Sequence, residues 1–275
     1  MDWMQNGWIF LSAVGLLGLL VGSLLNVAIL RIPKMMQAEH EGRAYSLFNL
    51  WRPRSHCPHC THLIPFYYNI PLWSYAQLKG RCAHCHKKIS LQYPLVESAS
   101  ALLSVCVALQ YGWSMATLAG LLLVWTLITL SVIDMHHKLL PDTLTLPCLW
   151  LGLFFNTYQT FASPTSAILG ALCGYLSLWS VYWVFKWITG KEGMGYGDFK
   201  LMALMGAWFG WQSLLFILFF SSMLGALFGI GLILFKDKDR HTAIPFGPFI
   251  AVAGLCTLYF QNRIPLYYFQ VLGLG

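Results

Sequence analysis

The hydrophobic residues of this chain fall into long, nearly uninterrupted runs. The first run begins near Trp8 and continues to about Ile32, and seven more follow it. An α-helix needs about 20 apolar residues to cross the hydrocarbon core of a bilayer. The pattern therefore predicts eight membrane-spanning helices, the later seven over residues 95–112, 114–133, 143–160, 164–186, 199–211, 213–235 and 246–262.

The first run is interpreted as a retained membrane helix. It is longer than the roughly 7–15 apolar residues of a signal-peptide core, and no Lys or Arg precedes it. The run at 199–211 is short for a span. Short spans are typical of helices that line a cavity or meet a site at membrane depth.

Composition and charge agree with a membrane protein. The 275 residues are 57% hydrophobic and 10% charged, whereas soluble domains carry about 25% charged residues. With eight spans, 16 of the 17 Lys and Arg residues fall on one side, and only Arg263 falls on the other. Basic residues mark the cytoplasmic side, so the net charge of +7 reflects topology in a lipid bilayer and not nucleic-acid binding.

The predicted fold class is an all-α polytopic membrane protein with three parts. Residues 1–32 form the first transmembrane helix. Residues 33–94 form a cytoplasmic metal-binding module that holds eight of the 17 basic residues. Residues 95–275 form a seven-helix membrane domain.

The polar module contains two CxxC pairs, Cys57 with Cys60 and Cys82 with Cys85. Four thiolates at this spacing are typical of a tetrahedral site, so we predict that they bind one structural zinc ion. Iron suits four thiolates as well. A cytoplasmic location disfavours disulfide bonds. Nearby histidines are alternative ligands: His56, His59, His62, His84 and His86.

Two of the ten acidic residues stand out among those at the ends of apolar runs. Asp134 ends the third run, and Asp198 opens the sixth as the last residue of a GxGD pattern, Gly195-Tyr196-Gly197-Asp198. Ionisable groups at membrane depth are costly and usually functional. We therefore predict that Asp134 and Asp198 are catalytic.

Each acidic residue also has a structural interpretation. Asp134 could be an interfacial side chain solvated by its neighbours, and Asp198 could be a helix N-cap. Asp142 is interpreted as the N-cap of the fourth run, and Glu97 could simply favour the N-terminus of the second run.

A pair of carboxylates that share one proton can hydrolyse a peptide bond without a metal ion. One carboxylate takes a proton from water while the other donates a hydrogen bond to the scissile carbonyl. A helix C-terminus disfavours an anion and an N-terminus favours one. We therefore expect the shared proton on Asp134 and the charge on Asp198.

Five segments, in order along the chain, resemble the prepilin peptidase (type IV leader peptidase) family. They lie at residues 22–33, 69–97, 133–142, 193–200 and 244–248. By position, Asp134 and Asp198 match the family's catalytic aspartates, and the cysteine module matches its cytoplasmic domain.

The resemblance implies a bifunctional enzyme of the bacterial inner membrane. Its GxGD aspartic endopeptidase activity cleaves the leaders of type IV prepilins and type II secretion pseudopilins after a glycine on the cytoplasmic face. Its N-methyltransferase activity then methylates the new N-terminal residue with S-adenosyl-L-methionine. The resemblance places methyl transfer in residues 33–94, without identifying a methyl-transferring residue.

Two other functions compete with a peptidase. A proton-coupled transporter would use lone membrane aspartates, but transporters commonly show repeated halves and no convincing repeat is visible here. A membrane-anchored zinc scaffold explains the cysteines and leaves the GxGD pattern without a role. It predicts that both aspartates can be replaced without loss.

Overall fold

The chain is seen in a computed structural model that describes residues 3–42, 49–50, 54–236 and 244–260. Throughout these ranges the regular structure is helical, and no β-strand occurs. The all-α fold class is thereby confirmed. The chain divides into two compact units, Met1–Trp113 and Ser114–Gly275. The finer division into three domains stays a prediction.

The first unit is built on two long antiparallel helices, α1 (Trp3–His40) and α3 (Gln92–Tyr111). Gly18 and Gly22 let them approach closely, because a Cβ at Gly22 would lie 2.7 Å from the Cα of Glu97. The Ser100 hydroxyl donates to the Gly18 carbonyl at 2.7 Å and fixes the register. The polar module lies between them in sequence and contains α2 (Trp73–Gln77).

Helix α1 extends eight residues beyond its predicted end at Ile32. It continues through Pro33 to His40. Proline removes one backbone donor from a helix and usually ends or kinks it, but Pro33 lies inside α1. The residues after Pro33 have no glycine until Gly42, which takes a positive φ of 64° just after the helix.

The second unit contains six helices in the described residues, and four of them pack against a central one. The helices other than the central one are α4 (Met115–His137), α5 (Asp142–Thr157), α6 (Pro164–Thr189), α8 (Leu214–Lys236) and α9 (Gly247–Phe260). The central helix is α7 (Tyr196–Phe209), in which 11 of 14 residues are buried. Its mostly apolar sequence thus faces protein on nearly every side.

Small residues allow the close packing of α7. Gly206 meets the backbone of Gly170 on α6, and a Cβ on either glycine would overlap the other's carbonyl. On α5, Gly152 leaves room for the indole of Trp208, whose Nε1 donates to the Cys148 carbonyl at 2.9 Å.

Each predicted apolar run coincides with a helix. Five helical segments within the described ranges are long and apolar enough to cross a membrane: Gly7–His40, Gln92–Tyr111, Met115–His137, Pro164–Thr189 and Trp211–Leu232. Helices α5, α7 and α9 are shorter, with 16, 14 and 14 residues. The count of eight spans stays a prediction.

Candidate active site and metal centre

Asp134 lies one turn before the end of α4. The helix stops because Lys138 takes a left-handed conformation with φ 54°, and its N–H donates to the Asp134 carbonyl at 2.8 Å. The Asp134 side chain is 5% exposed. The interpretation of Asp134 as a solvated interfacial residue is therefore wrong.

Asp198 is the third residue of α7, and Gly195 occupies the N-cap position. The N-cap interpretation of Asp198 is therefore wrong as well. Its carboxylate interacts with the backbone of Gly195 and with the charge of Asp134. Asp198 is 8% exposed. The structure thus brings the two predicted carboxylates close enough to interact in a largely buried position.

The third component of this site is the first residue of α9. The backbone N–H of Gly247 donates to Asp134 Oδ2 at 2.9 Å. Leu140, in the link between α4 and α5, lies against both Gly197 and Gly247, where added Cβ atoms would meet its side chain at 2.8 and 3.2 Å. Four chain segments therefore converge on the two carboxylates.

The N-terminus of α9 changes the electrostatics expected for Asp134. The prediction that Asp134 holds the shared proton considered only the C-terminus of α4. The N-terminal amide of α9 favours an anion on the same carboxylate, so the two helix ends act in opposite directions.

Asp142 is the first residue of α5, after Pro141 at the N-cap position. The interpretation of Asp142 as an N-cap is therefore wrong. Its carboxylate accepts two hydrogen bonds from Lys200 Nζ, at 2.6 and 2.7 Å. This ion pair joins the start of α5 to α7, two residues beyond Asp198. The sequence analysis gave Asp142 the role of an N-cap and gave Lys200 no role, so it could not pair them.

The loop before the GxGD pattern is tied to α6. Lys186 donates to the Tyr182 hydroxyl at 3.3 Å and forms an ion pair with Glu192 at 2.8 Å. The Tyr182 ring lies 5.4 Å from the ring of Tyr196, the variable residue of GxGD. These contacts hold the turn that delivers Asp198.

The four cysteines of the module converge as predicted. All Sγ atoms of Cys57, Cys60, Cys82 and Cys85 lie within 4.8 Å of one another. The Cys57 and Cys85 sulfurs are 3.8 Å apart, which equals the separation of about 3.8 Å expected for a tetrahedral four-thiolate zinc site. All eight cysteines are described, and none forms a disulfide bond. The set could hold a metal ion.

Two matching ribbons present these sulfurs. In the first, the Cys57 N–H donates to the His62 carbonyl and the Thr61 N–H donates to the Cys57 carbonyl. In the second, Cys82 and His86 repeat both bonds. Thr61 and His86 both take φ 55°. The rings of His62 and His84 stack at 4.4 Å.

The thiols of the four-cysteine cluster differ in pKa. The backbone N–H groups of Cys85 and His84 lower the pKa of Cys82 to about 6. At Cys60 the His62 backbone lowers the pKa, but burial and hydrogen bonds with the other thiols raise it more, to about 11. A bound metal ion would replace the remaining protons, since thiolates are the ligands.

Fold and site together define a multi-pass helical membrane protein with a carboxylate pair and a four-cysteine module. Models of two families match the chain. The type IV leader peptidase family matches residues 121–230, and the bacterial peptidase A24 N-terminal domain matches residues 16–111. These matches include both aspartates and all four module cysteines.

Curated relatives match nearly the whole chain. A prepilin leader peptidase/N-methyltransferase of Aeromonas hydrophila is 50% identical over 273 residues, covering 95% of this chain and 94% of its own length. Proteins of the same name from Pseudomonas aeruginosa PAO1 and Legionella pneumophila are 48% and 42% identical, with 95% or more of each chain covered. The chain belongs to the type IV leader peptidase family. No solved structure gives a significant match.

Proposed function

We propose that this chain is a bifunctional prepilin leader peptidase and N-methyltransferase. The observation that carries the peptidase activity is the convergence of Asp134 and Asp198, from two different helices, in one largely buried site. The curated relatives carry this name, and they match the chain over nearly their full length.

The two carboxylates would act as a general acid and base. One carboxylate removes a proton from water, and the water oxygen attacks the carbonyl carbon of the scissile peptide bond. The other carboxyl group is protonated and donates its proton to the carbonyl oxygen. When the carbon–nitrogen bond breaks, the first carboxyl group gives its proton to the leaving amine, and the second takes one back from a hydroxyl of the tetrahedral intermediate. The amide of Gly247 would hold Asp134 in one orientation through this sequence.

The proposed substrates are type IV prepilins and type II secretion pseudopilins, which present a basic leader followed by an apolar helix. Cleavage would follow a glycine on the cytoplasmic face of the inner membrane. The concentration of basic residues in residues 31–94 supports this orientation.

The metal site would serve the module by joining its two ribbons. Cys57, Cys60, Cys82 and Cys85 would hold one zinc ion, whose chemistry here is structural because four protein ligands leave no open position.

S-adenosyl-L-methionine would supply the methyl group in the second activity. An open cleft of about 630 Å³ lies beside the second ribbon, and its lining includes Lys79, Arg81 and His86. The charged residues that line the cleft are basic, and they would repel the sulfonium cation of S-adenosyl-L-methionine. We therefore assign no methyl-donor residues there.

The peptidase proposal is tested by assaying purified full-length protein on a prepilin with a leader ending in glycine. Asp134→Asn and Asp198→Asn should each lower kcat by at least about 100-fold, because each removes a proton-transfer group. Glu39→Gln is the control, since Glu39 is exposed near the end of α1 and belongs to the other unit. Full cleavage by either aspartate variant, with unchanged folding, would remove that residue from the mechanism.

A further inference from the structure

The polar module carries an exposed apolar cluster in its shortest elements. Tyr67, Ile70 and Trp73 are 49%, 47% and 65% exposed. They belong to the segment that runs from a 3-10 turn, Phe66–Asn69, into α2. Single exposed apolar residues are ordinary. Three of them within seven residues of a polar segment form a cluster that requires a physical explanation.

One hydrogen bond fixes the position of this cluster against α3. The backbone N–H of Leu72 donates to Glu97 Oε2 at 2.9 Å. Leu72 takes φ 58°, a conformation that is strained for a residue other than glycine and that persists only where its surroundings hold it. Glu97 is 8% exposed. Trp73 is therefore held beside the second turn of α3.

The length of α3 sets the depth of that turn. Its 20 residues span about 30 Å, which is just the thickness of the hydrocarbon core. Glu97 lies five residues inside its start, or roughly 7–8 Å along the axis. With α3 filling the hydrocarbon core, the cluster lies within about 8 Å of its edge.

Helix α1 gives the same boundary independently. Asn26 Nδ2 donates to the Tyr93 carbonyl at 3.1 Å, so Asn26 is level with the first turn of α3. The first charged residue beyond it is Arg31, about one and a half turns further out. The guanidinium donates to the Asn49 carbonyl at 2.7 Å, in the polar segment.

Apart from the buried Glu97, the charged residues near this cluster in sequence are all basic. Between residues 54 and 91 the sequence contains five basic residues and no Asp or Glu: Arg54, Lys79, Arg81, Lys87 and Lys88. Two of them, Lys79 and Arg81, line the open cleft next to α2. Basic residues near a membrane surface attract anionic lipids.

We propose that the module docks on the bilayer surface through this cluster. Trp73, Ile70 and Tyr67 enter the headgroup region, and the basic residues bind anionic phospholipid headgroups around them. Tryptophan and tyrosine are suited to this position because their rings are apolar and their N–H or O–H groups remain hydrated. Membrane contact would immobilise the module beside the helices that enter the same bilayer.

The apolar part of this proposal is tested by photo-crosslinking the full-length protein in nanodiscs of phosphatidylethanolamine and phosphatidylglycerol. A benzoylphenylalanine is placed at position 73, at position 102 as a lipid-facing reference and at position 59 as a solvent-facing reference. Leu102 is 65% exposed on α3, and His59 is exposed between Cys57 and Cys60.

We expect lipid adducts at positions 73 and 102 and at least tenfold fewer at position 59. A protein adduct at position 73, or no adduct there while position 102 reacts, would overturn the proposal. The readout is a covalent adduct measured by mass spectrometry, so it is independent of peptidase and methyltransferase activity.

The electrostatic part is tested by hydrogen exchange of residues 66–79. Replacing phosphatidylglycerol with phosphatidylcholine should increase the exchange rate severalfold in the native chain. A variant with Lys79→Gln, Arg81→Gln, Lys87→Gln and Lys88→Gln should lose this dependence on lipid charge. Exchange that is equal in both bilayers would overturn the role of the anionic lipid.

Discussion

Only glycine fits at position 247, because any side chain there would collide with Asp134. A methyl group at residue 247 would lie 2.7 Å from Asp134 Oδ2, which is closer than a carbon and an oxygen can approach. The same residue supplies the 2.9 Å hydrogen bond to that oxygen. Replacing it therefore moves the carboxylate and weakens its hydrogen bond at once.

Gly247→Ala should lower kcat for prepilin cleavage by roughly 100-fold, because displacing a catalytic group by about 1 Å has an effect of that order. The measurement is steady-state cleavage together with thermal unfolding in detergent. Gly231→Ala is the matched control, since a methyl group there would meet nothing within 4 Å. Equal activity of the two variants would contradict the role given to Gly247.

The Asp142–Lys200 pair should position α7 rather than stabilise the whole protein. The two side chains are 53% and 30% exposed, and exposed pairs contribute only about 0–1 kcal/mol. Asp142→Lys alone should lower kcat by up to about tenfold and leave the unfolding temperature nearly unchanged.

The exchanged double variant, Asp142→Lys with Lys200→Asp, should recover most of that loss. Recovery depends on the paired charges and would not follow from a general loss of folding. A double variant with kcat no better than that of Asp142→Lys would show that the pair has no positioning role.

The sequence could predict those residues whose own spacing carries information. The CxxC pairs and the GxGD pattern identify their chemistry by residue type and separation, and the four sulfurs do converge. Gly247 and the Asp142–Lys200 pair depend instead on where the 138–141 link and the start of α9 lie in space. Nothing in a glycine between Phe246 and Pro248 shows which oxygen its amide will meet.

At the scale of helices, α7 is organised around its contact with α6. The two backbones touch at Gly170 and Gly206, where neither residue has a side chain. A polar contact with α5 holds the end of α7. The side-chain Nδ2 of Asn156 donates to the carbonyls of Ala207 and Trp208 at 2.8 and 2.9 Å. The orientation of Asp198 depends on this packing.

Gly206→Ala should destabilise the protein in spite of alanine's better helix propensity. The propensity gain is about 1 kcal/mol, whereas overpacking against a rigid backbone costs about 1–3 kcal/mol or more. Thermal unfolding in detergent should show a lower midpoint for Gly206→Ala and an equal or higher one for Gly231→Ala. The same sign for both variants would contradict a close helix contact at Gly206.

Helix positions followed closely from the apolar runs, because a run long enough to span a bilayer has few other stable structures. Helix α1 continues eight residues past the apolar run that predicted it, because Pro33 is tolerated inside the helix. The central position of α7 was also not predictable. A nearly all-apolar helix has no polar face that distinguishes lipid from protein neighbours.

At the scale of the molecule, the two units separate the two kinds of chemistry. The carboxylates belong to Ser114–Gly275, and the thiols belong to Met1–Trp113. The family models divide the chain in nearly the same way. Metal binding and peptide cleavage can therefore be examined with separate substitutions in one full-length protein.

Elemental analysis of purified protein should find one metal ion per chain, and zinc rather than iron. Cys82→Ser should reduce the metal content to less than half, because the remaining three thiolates leave the tetrahedral site incomplete. Cys173→Ser is the control, since Cys173 is exposed on α6. Lowering the pH should release the ion, because protons compete for the thiolates. Equal metal content in both variants would contradict the site.

The short central helix also has a consequence for how the protein is made. With 14 residues, α7 extends only about 21 Å, and its covered surface gains little from contact with lipid. Such a segment is poorly suited to move from the translocon into the lipid bilayer without a partner helix. Helix α6 is synthesised first and carries Gly170, the contact for Gly206. Membrane insertion of α7 would then occur as a hairpin with α6, so the order of synthesis delivers the GxGD turn to the membrane already attached to its support.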